Sequence, residues 1–291
     1  MSLLPSNPPT ESPRASGASS QKGAPIAPMG VPAALGWTFV VTFLFLALFG
    51  VATSVRESSK SDLVSGFSCQ VVAYSLGLFL ILRVYAPERS IRDFLALRST
   101  AWTLYPLAIF LGILITIPAD ALYEVICARY PASDADVMGK LFHEASIPRR
   151  ILMGFVLAGA GPVLEEMFFR GALFRPLKRS VSPLFAAILI GLLFAVIHLE
   201  WQSFAPIFIL GTCLGLLRIW SGSLHVSMLL HASFNGVALA NLIRESAGAV
   251  PLKLSNGVIV AAGVASLLLM ILAHWLSSKS PACERAREAD A

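Results

Sequence analysis

An all-α bundle of about eight membrane-spanning helices is the fold this sequence predicts, on three observations. Of 291 residues, 56% are hydrophobic and only 13% are charged, about half the charged share of a soluble domain. Mean hydropathy is +0.74. Apolar stretches of roughly 20 residues, the length that crosses a bilayer, recur between two polar ends. A chain with so few polar groups cannot cover a water-facing surface of this size, which excludes an ordinary soluble enzyme and a disordered chain. The four cysteines, Cys69, Cys127, Cys213 and Cys283, form no CxxC pair, which speaks against a disulfide framework or a zinc knuckle. No basic stripe is interleaved with aromatics, so no nucleic-acid partner is expected.

Residues 1–36 hold seven of the 18 prolines, with many Ser, Gly and Ala. That composition buries no core and reads as a disordered tail. No charged start runs directly into an apolar core, so it is not a signal peptide. Residues 37–276 form the membrane-embedded domain. Its expected spans run from Trp37 to Val55, Leu63 to Ala86, Ala101 to Tyr123, Ile151 to Phe174, Leu184 to Trp201, Phe204 to Trp220, Ser223 to Ile243 and Gly257 to Leu276. The fifth and sixth are joined by a very short link and should form an antiparallel pair. Residues 124–150 are the longest connection. Val137, Leu141 and Ile147 fit a short surface helix, but a solvated loop that includes Asp134 and Asp136 is the preferred reading. Residues 277–291 read as a polar tail. No internal repeat is evident, against a transporter built from duplicated halves.

The net charge is +5, from 22 basic and 17 acidic residues. With both termini on the same side, 14 basic residues fall on that side and 8 on the other. The larger group includes Arg14, Lys22, Arg83, Arg89, Arg92, Arg98, Arg175, Lys178, Arg179 and Arg218. The smaller includes Arg56, Lys60, Arg129, Arg149 and Arg244. Basic loops stay inside, so both termini are expected in the cytoplasm, the membrane being a bacterial cytoplasmic membrane.

Ionisable groups inside apolar spans mark function by default. The fourth span contains Glu165-Glu166-Met167-Phe168-Phe169-Arg170. Glu166 and Arg170 are four residues apart, on one helix face and about 6 Å apart along the axis. They can pair, while Glu165, rotated by about 100°, faces something else. A solvated cluster at a helix end accounts for one Glu and one Arg but poorly for the pair. In the fifth span, Phe194 and His198 share a face. Alone, His198 reads as an interfacial or packing residue. In the seventh, His231 and Asn235 share a face, and alone they are as well explained as polar glue between helices. Together, Glu165, His198 and His231 come from three spans and can activate a water and stabilise an oxyanion. No GxSxG or HExxH motif competes with them. His231 lies about 12 Å and His198 about 21 Å from the cytoplasmic edge at 1.5 Å per residue. Glu165 meets them only if the fourth helix runs past Phe174, toward Lys178, or is tilted. The site is then expected as a hydrated cavity facing the cytoplasm. Gln70 in the second span reads as helix glue, and Asp120, His225 and His274 as interfacial groups.

The signatures EExxxR, FxxxH and HxxxN, in that order and each on an expected span, resemble those of the CPBP family. This family joins type II CAAX prenyl endopeptidases to bacterial Abi proteins, some linked to bacteriocin self-immunity. The resemblance covers roughly Arg150 to Asn241. It implies an intramembrane endopeptidase acting on a membrane-tethered protein or peptide, lipidated or transmembrane-anchored, with the lipid bilayer as its medium. In the implied roles, Glu165 and His198 activate the attacking water, Glu166 and Arg170 support them, and His231 and Asn235 form the oxyanion hole. No cofactor is favoured. If zinc takes part, Glu165, His198 and His231 are its expected ligands, since two histidines and a carboxylate leave one position open for water. The alternative is a non-catalytic membrane scaffold or immunity-type protein that binds peptides in the same cavity; a proton-coupled carrier comes third. Oligomeric state has no signature in the sequence.

Overall fold

A computed structural model describes residues 25–55, 63–131, 137–250 and 252–290. Arg14, Lys22, Arg56, Lys60, Asp134 and Asp136 lie outside the described residues, as does most of the expected amino-terminal tail. Among the described residues the regular structure is all helical. Seven helices are long and apolar enough to cross a bilayer: α1 (Val31–Val55), α2 (Leu63–Tyr85), α4 (Leu104–Arg129), α6 (Ile147–Leu177), α8 (Phe204–Ser221), α9 (Leu224–Ser246) and α10 (Asn256–Lys279). Between them lie α3 (Ile91–Phe94), α5 (Val137–Glu144) and α7 (Pro183–Val196), and α11 (Pro281–Asp290) follows. The chain is an integral membrane protein of the expected all-α class. Its outer faces expose Phe39, Phe43, Phe110, Leu267 and Leu268, as lipid-facing surfaces do.

Two apolar clusters organise the bundle. One joins α1, α2, α6 and α7 through residues such as Val41, Ile81, Phe168 and Ile190. The other joins α4, α8, α9 and α10 through Leu111, Leu214, Leu230 and Met270. The expected hairpin of α7 and α8 links the two. Ala187 and Gly191 on α7 face Gly211 and Gly215 on α8. A Cβ on Gly191 would stand 2.8 Å from the Thr212 nitrogen, and one on Gly215 2.8 Å from Ala187 Cβ. Small residues four apart let two helices approach closely where lipid offers no hydrophobic driving force.

Four expectations change at this level. The fifth span does not run to Trp201: α7 stops at Val196, and Leu199 takes a left-handed backbone with φ 55°. With 14 residues it is about 21 Å long, short of a full crossing. The connection before α6 is not all loop, since α5 is helical and Phe142 is buried. Residues 31–36 already belong to α1. Before it, Ile26 and Met29 are buried, with the Ala27 N–H on the Tyr85 carbonyl and the Met29 N–H on the Pro176 carbonyl. At the other end α10 continues to Lys279, and the polar segment beyond it is a docked helix with Cys283, Ala286 and Asp290 buried. Composition hides α11 because its inward residues are few and one of them is a carboxylate.

Candidate active site

The fourth helix has the reach that the motif spacing demands. α6 runs from Ile147 to Leu177, and the Lys178 N–H caps the Phe174 carbonyl. Two stretches are wound as π-helix, Val156–Ala160 and Met167–Leu173, on either side of the six α-helical residues that carry Glu165 and Glu166. Such insertions frequent functional sites. The first has a visible chemical cause. The Gly161 N–H reaches back to the Val156 carbonyl, and the next residue, Pro162, has no N–H to give. The Leu157 carbonyl is left to accept from Asn235 Nδ2 of α9, at 2.9 Å. Asn235 therefore ties α9 to the widened turn of α6, with the second hydrogen of its amide uncommitted.

Glu166 and Arg170 pair as expected, and both are fully buried. Arg170 Nη1 donates to Glu166 Oε1 at 2.7 Å and Nη2 to the Gly211 carbonyl at 2.9 Å. The guanidinium also lies 4.5 Å from the Phe194 ring centroid. His231 Nδ1 stands 3.1 Å from the same Glu166 oxygen. Glu166 thus accepts from Arg170 on its own helix and from His231 on α9. Phe194 is the hub of this layer, with His198 at 4.7 Å and His231 at 5.5 Å between ring centroids, both edge-on. The phenylalanine of FxxxH separates and orients the two imidazoles.

Glu165 points the other way. It keeps 16% of its side chain exposed. Its Oε1 accepts from Gln70 Nε2 at 2.9 Å, and its Oε2 stands 3.8 Å from His231 Nε2. His198 lies beyond the end of α7, in the turn. Its backbone N–H bonds the Ala195 carbonyl, and its ring Nδ1 is 2.7 Å from the Phe194 carbonyl. A carbonyl only accepts, so Nδ1 carries a hydrogen, and in the neutral ring Nε2 keeps a lone pair.

Glu165, His198, His231 and Asn235 line one cavity of about 700 Å³. Glu166 and Arg170 stand behind its wall. The rest of the lining is mostly apolar, including Phe45, Phe67, Leu157, Phe234 and Leu239. The lining reaches Leu63 at the start of α2, Val156 early in α6, Glu200 after α7 and Leu242 late in α9. All four lie at the end of the bundle remote from Arg98, Arg175 and Arg218. The sequence leads one to expect a cavity facing the cytoplasm; the lining extends away from the basic end. Depth counting located the residues but not the direction in which the space between them widens.

Gln70 is the site residue that sequence reasoning passed over. Its signal was visible, a lone amide in an otherwise apolar span, but nothing in the sequence distinguishes a partner for Glu165 from glue between helices. Among the described residues, no three His, Cys, Asp or Glu side chains are grouped so as to hold a metal ion. As arranged, the side chains of Glu165, His198 and His231 do not form such a group.

Residues 147–237 match the family model described as type II CAAX prenyl endopeptidase Rce1-like. The resemblance carried by the three motifs is borne out over that segment. An uncharacterized 24.3 kDa protein of Escherichia coli is 28% identical over 167 residues, which cover 55% of this chain and 72% of that protein. No solved structure matches the chain.

Proposed function

We propose, with an Rce1-like domain over residues 147–237 as premise, that the chain is an intramembrane endopeptidase cutting a membrane-tethered protein, either a lipidated tail or the end of a transmembrane anchor. One observation carries the reading: Glu165, His198, His231 and Asn235, from two helices and a turn, line a single cavity whose other walls are mostly apolar. Apolar walls suit an acyl chain or an unwound anchor, and the polar groups suit one peptide bond.

In this reading Glu165 is the general base. A water between Glu165 and His198 Nε2 loses a proton to Glu165 Oε2, and its oxygen bonds to the substrate carbonyl carbon. His231 in its doubly protonated form donates Nδ1–H to Glu166 and presents Nε2–H to the developing oxyanion, joined by the free N–H of Asn235. Two carboxylates, one guanidinium and one imidazolium then sum to zero charge, which suits a low-dielectric site. The C–N bond breaks as the departing amine takes the proton from Glu165. Arg170 and Glu166 hold His231 in place without touching substrate.

Glu165→Gln keeps the shape and the bond to Gln70 while removing the base. General-base loss lowers rates by about 10²–10⁴-fold. Mass spectrometry of membrane-protein termini, comparing cells with wild-type and Glu165→Gln protein, is expected to show an uncut terminus in the variant. Identical termini together with full-length insertion of the variant would discard the reading and favour a peptide-binding scaffold.

The basic end of the bundle faces the cytoplasm in this proposal, so the cavity extends toward the opposite face and the scissile bond enters from there. An impermeant maleimide applied outside intact cells is expected to label Ala247→Cys, at that face, and to spare Ser180→Cys, in a cysteine-free background. The reverse pattern would turn the molecule over and put the cleaved bond in the cytoplasm.

A further inference from the structure

Behind the wall formed by Glu165 and His198 lies a second, smaller chamber of about 130 Å³, lined by Thr42, Phe45, Gln70, Tyr74, Glu165, Ile197 and His198. We infer that this chamber supplies the attacking water, and that Gln70 is a positioning residue which holds Glu165 Oε1 and leaves Oε2 to act as the base. The inference rests on the endopeptidase reading above and adds where the nucleophile comes from.

Three observations carry it. Five of the seven lining residues bring a hydroxyl, amide, carboxylate or imidazole, and a buried water needs two to four such partners. At about 30 Å³ per water the chamber has room for roughly four. Polar residues are a smaller share of the large cavity's lining, and an acyl chain or anchor filling it expels its solvent. Phe45, Gln70, Glu165 and His198 line both spaces, so the base and its histidine can be reached from the small chamber while substrate fills the large one. Finally, the Gln70 amide occupies Glu165 Oε1 at 2.9 Å, which leaves Oε2 to receive the proton. In the resulting step one O–H bond of the chamber water breaks, its proton goes to Glu165 Oε2, its oxygen bonds to the peptide carbonyl carbon, and the amine leaves with that proton.

Thr42 lines the small chamber and not the large one, so a larger side chain there fills the one without narrowing the other. The full chain in proteoliposomes is exposed to a radiolytic hydroxyl-radical pulse, which modifies side chains beside ordered water. Tyr74 is 4% exposed. It is nevertheless expected to be oxidised in the wild type, and several-fold less in Thr42→Leu. Thr42→Val, which keeps the volume and loses the hydroxyl, is expected to fall between the two and guards against a misfolded Thr42→Leu. With a quenched fluorescent peptide ending in a farnesylated CAAX-type tail, Thr42→Leu and Gln70→Leu should lower kcat about ten-fold with KM unchanged. A Tyr74 that resists oxidation in the wild type overturns the chamber, whether or not that peptide is cut. A loss that appears in KM reduces Gln70 to packing. Undiminished cleavage by Glu165→Gln sinks the assignment of Glu165 as base instead and leaves the footprint standing.

Discussion

Arg170→Met is expected to lower stability by about 3–5 kcal/mol, the range for removing one partner of a buried ion pair. The guanidinium is fully buried and serves three groups at once: Glu166 Oε1, the Gly211 carbonyl and the face of Phe194. Its loss leaves the Glu166 carboxylate enclosed with neutral or partly charged neighbours such as His231 and no guanidinium. It also uncouples α6 from α8 at the point where Gly191 and Gly211 bring α7 and α8 into backbone contact. Adding Glu166→Gln should recover part of the loss, because no uncompensated charge then remains, whereas cleavage should not return, since His231 has lost its carboxylate. Thermal unfolding of the purified protein in detergent reads the first effect. A single variant as stable as the wild type would show that the pair is dispensable for folding.

The pair was legible because its geometry is local. Residues four apart on a helix meet whatever the tertiary fold, so EExxxR announces a contact by its spacing alone. The spans were legible for the same kind of reason, as length and apolarity alone decide them. What stayed hidden depends on neighbours. Leu193 to Ile197 are as apolar as the residues before them, so nothing local marks Val196 as the last helical residue or shows that His198 reaches back to the Phe194 carbonyl from a turn. The π-wound stretches of α6 leave the composition untouched. Pro162 hints at the first, but the Leu157 carbonyl finds its substitute donor 78 residues away, in Asn235. Gln70 becomes meaningful only through Glu165, 95 residues on. α11 was obscured by its own polarity, since the group it buries most consequentially is Asp290, a residue that composition assigns to solvent.

Asp290→Asn is expected to loosen that helix and the end of α6 together, at about 3–5 kcal/mol near neutral pH. Arg218 Nη2 donates to Asp290 Oδ1 at 2.7 Å, Arg175 Nε stands 2.9 Å from the same oxygen, and Lys178 Nζ pairs with Oδ2. Arg175 also donates to the carbonyls of Phe94 and Ala289, so one carboxylate binds α3, α6, α8 and α11 at the basic end of the bundle. Burial pushes the Asp290 carboxyl up, but Arg218, Lys178 and Arg175 outweigh it and hold it well below the usual carboxylate range. A carboxyl lowered on folding stabilises fully above its unfolded value, near 4, and loses that contribution as pH falls through and below it. Burial lowers the Lys178 ammonium to about 8, with Asp290 opposing the shift. As pH rises through that value, Lys178 sheds its charge in the folded protein, and its share of the pairing with Asp290 goes with it. The difference in unfolding midpoint between wild type and Asp290→Asn should therefore be widest between about pH 5 and pH 8, bounded by those two titrations. It should shrink on both sides, more gently on the alkaline one, where Arg175 and Arg218 keep their charge. A difference that stays constant from pH 3 to pH 10 would mean that α11 is held by packing of Cys283 and Ala286 and that the carboxylate contributes shape rather than charge.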